Sequence, residues 1–278
     1  MTTDAILEER NVYQDAILES FDAHLRVMLA TARANTIVRL RDSLSVTNGQ
    51  IDLTAGNIRV LRTIDVMLER YLEEAGFPNL VEVFSEQFAG QVQFLDKIIA
   101  DLSSTMKTPL PEFRWTTRNR AALLGQQAAT IDQLTDVVYS AADSAKQKIM
   151  FSVAGLRFRD LAQLIETQTD ASVGQAQAIA DTAMNVFFRT AADMAYQQIE
   201  EDVPEFPQSY EYGGPRDKRN RPFCSRLKDA EKKVWKRAEI DKMDNGSLPN
   251  VFITCGGYRC RHTWILSTRE IEQRFKRG

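Results

Sequence analysis

A mainly α-helical protein, with a helical N-terminal body followed by a small C-terminal α+β module, is the fold class this sequence predicts. Two observations carry it. Apolar residues recur at three- and four-residue steps from residue 4 to about 202, and after Pro207 the texture changes to turns, aromatics and short runs. A chain of 278 residues, 44% hydrophobic and 26% charged, is long and apolar enough for one large or two modest domains with a true core. The boundary is placed between a body, residues 1–203, and a module, residues 204–278.

Asp4 stands as an N-cap, and Ile6, Val12 or Tyr13, Ile17, Phe21, Leu25, Met28 and Leu29 form one apolar stripe, the mark of an amphipathic helix. Asn48-Gly49 within SLSVTNGQIDLTAGN is a tight-turn signal and predicts a loop or small hairpin. Ile58, Leu61, Ile64, Leu68 and Leu72 resume the helical period until Gly76 and Pro78 stop it. A third helix is expected from about Asn79 to Met106, ended by Pro109 and Pro111. The alanine- and glutamine-rich stretch beyond Trp115 favours helix by intrinsic propensity, and two further helical segments are expected at about 156–169 and 173–201.

In the module, short helices are expected over Pro222–Leu227 and Arg237–Met243 and strands over Lys233–Lys236 and His262–Leu266, with Thr268 capping a terminal helix. No apolar run approaches the roughly 20 residues of a membrane span, and the acidic, periodic start is unlike a signal peptide, so a cytoplasmic protein without membrane contact is expected. The net charge of −3 is unevenly spread: residues 204–278 hold 17 Lys+Arg against 10 Asp+Glu (+7), leaving 18 against 28 (−10) for the rest. A basic module of this kind suits nucleic acid or an acidic protein surface, or is simply a solvated face with local ion pairs.

All three cysteines and one of the two histidines fall in the module, as C-x30-C-x4-C-x-H: Cys224, Cys255, Cys260 and His262. Four such donors are numerically sufficient for a closed zinc site, but the pattern lacks paired CxxC knuckles; the alternative is thiols packed as small hydrophobes beside a locally hydrogen-bonded imidazole. The odd cysteine count speaks against a disulfide framework. Gly256 and Gly257 predict a backbone bend with positive φ. Arg216, Lys218, Arg219, Arg221, Arg259 and Arg261 surround the constellation and could reach phosphates or an acidic surface, while Tyr212, Phe223 and Tyr258 among them serve equally as core. Trp115, Trp235 and Trp264 are read as packing anchors and His24 as a surface histidine. No phosphate-loop motif and no carboxylate pair or triad points to catalysis.

These residues carry a resemblance. Y-x-Y-x-G-P-x-D (Tyr210, Tyr212, Gly214, Pro215, Asp217), R-P-F-C (Arg221 to Cys224), a K-K-V-W segment leading to Glu239-Ile240, the pair Asn245-Gly246, and G-G-Y-x-C-R-H-x-W (Gly256 to Trp264) follow one another in order. This succession resembles the C-terminal region of the tailed-phage minor head proteins related to the F protein of phage Mu, over residues 175–268 or so. The resemblance implies a helical front part, a non-enzymatic role in head morphogenesis and DNA packaging, and a place in the virion head or head–tail region after assembly in the host cytoplasm. Its implied partners are the portal and/or major capsid protein, further copies of the chain, and DNA. Arg221, Cys224, Gly256, Gly257, Cys260, Arg261 and His262 coincide with the family pattern and Cys255 falls outside it. Related modules also occur fused to toxin domains, so the fold alone does not define the role.

Overall fold

The computed structural model describes residues 2–106, 110–204 and 208–269, and they form a mainly α-helical chain with a short sheet near its end. Helix α1, Thr3–Ser43, buries Leu7, Arg10, Gln14, Leu18, Phe21, Leu25, Leu29, Ala32, Thr36 and Leu40. These steps of three, four and four residues repeat every eleventh position, with leucine at 7, 18, 29 and 40. Eleven residues over three turns is close to the helix's own period, so the buried stripe stays on one face of the helix. Val12 is 66% exposed, which settles the choice at that step for Tyr13.

Strands β1, Val46–Thr47, and β2, Gln50–Ile51, pair antiparallel across Asn48 and Gly49, both at positive φ, as the Asn-Gly signal predicts. The Thr54 hydroxyl accepts from Asn57 N–H and starts α2, Ala55–Leu61; α3 follows over Ile64–Glu74 and ends at Gly76, φ +91. The continuous period read over Ile58–Leu72 thus spans two helices that share a buried side.

The single helix expected from Asn79 to Met106 is two, α4 (Phe77–Gly90) and α5 (Val92–Met106), and Pro78 sits harmlessly in the first turn of α4. The break has a cause. A Cβ on Gly90 would strike the Tyr13 hydroxyl, and the side-chain carbonyl of the neighbouring Gln91, fully buried, accepts from Arg10 Nε at 2.9 Å. Pro109 and Pro207 lie outside the described residues, as does the terminal helix expected after Thr268, which falls on residues 270–278.

Helix α6 runs over Thr117–Phe151 and α7 over Phe158–Asp202, where two segments were expected. The polar stretch between those two segments lies inside α7, where the Thr169 hydroxyl donates to the carbonyls of Ile165 and Glu166 and the Ser172 hydroxyl to that of Thr169, so these hydroxyls are satisfied within the helix. No helix among the described residues is long and apolar enough to cross a membrane.

The C-terminal module contains β3 (Ser209–Gly213), α8 (Pro222–Asp229), β4 (Trp235–Lys236), α9 (Arg237–Ile240), α10 (Val251–Thr254) and β5 (Thr263–Leu266). The three strands form an antiparallel sheet in the order β4-β3-β5, with Tyr210 opposite both Trp235 and Leu266 and Tyr212 opposite Trp264. The central strand, β3, was not foreseen, because its Ser-Tyr-Glu-Tyr-Gly run is short and follows two prolines.

The chain divides into two compact units, and the division is not the expected one at residue 203. One comprises Met1–Ala16, Glu86–Ala128 and Asp181–Gly278, so the module shares its unit with the start of α1 and the last part of α7. The reason is packing: Tyr210 lies against Tyr196 of α7 at 6.1 Å between ring centres, and from Met184 to Ile199 α7 is buried on most sides. The other unit comprises Ile17–Ser85 and Ala129–Ala180, with a core of Leu40, Leu61, Ile64, Leu68, Ile149, Leu161 and Ile165 and a Lys146 ammonium held between Asp65 and Asp143. Ile149 is fully buried there, and Ile149→Ala is expected to lower the unfolding free energy by about 3 kcal/mol in urea titrations.

Candidate functional site

Three of the four donors read from the sequence converge. Pro222 opens α8 and places Cys224 in its first turn; Cys260 and His262 lie on the segment entering β5. Cys224 Sγ is 3.6 Å from Cys260 Sγ, Cys260 Sγ is 3.7 Å from His262 Nδ1, and the three donor atoms all lie within 4.8 Å of one another. Tyr212, on β3, brings its hydroxyl to 3.3 Å from Cys224 Sγ and 3.8 Å from Cys260 Sγ, and its ring stacks on the imidazole at 5.0 Å and 2°.

Cys255 is the donor that does not join. Its thiol faces the Phe252 carbonyl at 3.9 Å, and burial pushes its pKa up to about 12, so it behaves as a small apolar residue. The backbone explains the divergence. Cys255, Gly257 and Arg259 all have positive φ, and these reversals turn the Cys260 sulfur back toward the Gly256 N–H, which donates to it at 3.2 Å. Gly256 itself is not at positive φ, contrary to the expected bend: it is glycine because a Cβ there would collide with the Cys224 and Cys260 sulfurs. Gly257, φ +87, matches the expectation.

His262 is held at its other nitrogen, with Nε2 2.9 Å from the Pro215 carbonyl oxygen. Gly214, at φ +127, allows that approach, since a Cβ on it would meet the His262 Cα at 2.9 Å. The hydrogen bond shared by the Cys224 and Cys260 sulfurs, together with burial, raises the Cys224 pKa above the usual thiol range. Cys260 is lowered, against the effect of burial, by its hydrogen bond with Cys224 and by the nearby His262 and Arg189.

Arg189, which the sequence did not single out, organises the segment behind the sulfurs. It is 2% exposed and donates from Nε to the His262 carbonyl (2.8 Å), from Nη1 to that of Ile253 (3.2 Å) and from Nη2 to that of Cys260. Its signal was present as a lone cation in the apolar run Asn185-Val-Phe-Phe-Arg-Thr-Ala-Ala of α7. Arg10 is a second such residue, fully buried, its pKa lowered to about 9 chiefly by desolvation, and satisfied by the side-chain oxygens of Gln91, Gln14 and Asn185. It had no distinguishing signal, because the sequence around it is charged throughout.

The basic residues are mostly engaged. Arg216 pairs with Asp229 at 3.4 Å, Arg219 with Asp15 at 3.6 Å, Arg259 with Asp181 at 3.3 Å, and Arg261 with Asp217 at 2.6 Å. Lys218 and Arg221 are exposed, Arg221 as the residue preceding α8. Trp264 is 1% exposed, packs on Tyr212 and Trp235, and donates from Nε1 to the Val251 carbonyl, as a packing anchor should; Trp115 is 40% exposed. Cys224, Cys260 and His262 are 1%, 4% and 2% exposed, too enclosed for a nucleophile to meet a substrate.

The Arg261 guanidinium holds the Asp217 carboxyl below its ordinary value of 3.8. A depressed folded-state pKa means that this pair stabilises the protein fully above that ordinary value and less as pH falls through the folded value. Because Asp217 is largely exposed, the contribution is under about 1 kcal/mol. In an acid titration followed by circular dichroism, Asp217→Asn is expected to flatten the loss of stability below about pH 4 and to leave neutral stability only slightly reduced.

Comparison of the chain with protein-family models, with curated proteins and with solved structures finds no match.

Proposed function

We propose that the chain is a non-enzymatic assembly component of a tailed-phage head that docks on the portal or the major capsid protein. One observation carries this reading. The residues behind the resemblance are far apart in sequence, yet Tyr212, Gly214, Pro215, Cys224, Gly256, Cys260, His262 and Trp264 pack together in one core, with Asp217 and Arg261 paired at its edge. Chance matches strung along a chain have no reason to share a core. The enclosure of the thiols supports a structural rather than a catalytic role for that core. Apolar side chains left on helix surfaces, among them Val27 and Val38 on α1 and Phe151 at the end of α6, offer area for burial against other subunits.

Mass spectrometry of purified particles, combined with cross-linking, tests the reading. The expected result is the chain present in heads at fixed stoichiometry and cross-linked to portal or capsid subunits. Absence from particles, together with a strictly monomeric protein that binds neither partner, overturns it. The alternative reading, a zinc-stabilised nucleic-acid-binding module, requires arginines now paired with carboxylates to exchange them for phosphates, and it predicts DNA affinity that falls steeply with salt.

A further inference from the structure

We propose that Cys224 Sγ, Cys260 Sγ and His262 Nδ1 are the protein ligands of a tetrahedral Zn2+ site, with the Tyr212 hydroxyl at its fourth corner. The inference is independent of the assembly reading and drops Cys255 from the four donors that the sequence offered.

The spacing fits first. Zn–S bonds near 2.3 Å and Zn–N bonds near 2.0 Å at tetrahedral angles put two sulfurs about 3.8 Å apart and a sulfur and a nitrogen about 3.5 Å apart. The corresponding separations are 3.6 Å between the two sulfurs and 3.7 Å from Cys260 Sγ to His262 Nδ1. Tyr212 Oη, at 3.3 and 3.8 Å from the two sulfurs, brackets the same edge length.

The surroundings fit as well. A metal-ligating histidine ordinarily donates its other N–H to a carbonyl or carboxylate, which fixes the tautomer and aims the free nitrogen at the ion. His262 does this through Nε2 and Pro215 O, leaving Nδ1 turned toward Cys260. The Gly256 N–H donates to the Cys260 sulfur, a bond that strengthens with thiolate character. Two thiolates, a neutral imidazole and a divalent ion sum to no net charge, which removes the main cost of burying the site. Thiolate and imidazole donors select zinc over magnesium or calcium, and the enclosure of all three marks a structural ion rather than a catalytic one. The ion would tie α8, β3 and the segment entering β5 together in a module whose sheet has only short strands.

The test uses the full-length chain, expressed with zinc and measured by inductively coupled plasma mass spectrometry and by Co2+ substitution. One zinc per chain is expected in the wild type and in Cys255→Ser, and none in Cys260→Ser. Tyr212→Phe should keep the metal with affinity lowered roughly tenfold. Co2+ should give tetrahedral visible bands and a near-ultraviolet thiolate charge-transfer band of two-sulfur intensity, rising to three-sulfur intensity in His262→Cys, a variant that retains a ligand and so separates coordination from folding. A folded wild type that takes up neither ion, a cobalt spectrum without thiolate charge transfer, or metal lost equally in Cys255→Ser overturns the proposal.

Discussion

Arg189→Met is expected to lower the unfolding free energy by about 4 kcal/mol, which in a protein of this size shifts the thermal midpoint by roughly 10 °C. The guanidinium donates to the carbonyls of Ile253, Cys260 and His262, and all of this lies in the interior of the module's unit. Each orphaned carbonyl costs on the order of 1–3 kcal/mol when buried, and methionine returns only part of that through its apolar contacts. Arg189→Lys should recover little, because an ammonium at the end of a flexible stem cannot serve three carbonyls in a fixed fork. Urea unfolding followed by circular dichroism reads both. A loss below about 1 kcal/mol for Arg189→Met would mean that those carbonyls find other donors and that the arginine is not what positions Cys260 and His262.

Gly256→Ala comes second, with an expected loss of about 3 kcal/mol. The added methyl would overlap Cys224 Sγ and reach within 3.0 Å of Cys260 Sγ, so at least one sulfur must move and the spacing of the donors must open. A matched control lies in α7, where Gly174 has open space around its Cβ position and helical neighbours on both sides. Gly174→Ala should stabilise the protein by about 0.5–1 kcal/mol, as an exposed mid-helix glycine does. If the two substitutions had the same sign, crowding at the sulfurs would not be what keeps residue 256 a glycine.

Much of the helical part is legible in the sequence, and the reasons are local. The Asn48-Gly49 hairpin, the stop at Gly76 and the start of α8 at Pro222 each follow from the φ preferences of one or two residues. The leucines at 7, 18, 29 and 40 carry an eleven-residue period along α1 in the same local way. The α4–α5 break and the unbroken α7 have a different origin. The gap between α4 and α5 depends on Tyr13 and Arg10, some eighty residues away, and in α7 the Thr169 and Ser172 hydroxyls are satisfied within the helix where a polar run reads as a break. Propensity has no access to either.

The same division runs through the candidate site. Residue type alone assembled the roll of donors, since thiol and imidazole chemistry needs no coordinates to be recognised. Which three of four meet is a tertiary matter: the positive φ values at Cys255, Gly257 and Arg259 swing one sulfur away and bring another back, and no spacing rule encodes that turn. The charge of the C-terminal module was likewise countable from the chain, whereas its consequence was not, because Asp15 and Asp181 come from distant helical segments to neutralise Arg219 and Arg259. Composition and periodicity therefore determined the helical class, the sulfur-bearing module and its excess of cations; folding decided where some helices break or run on, which donors converge and which cations are paired, because these depend on distances between residues that the chain order keeps apart.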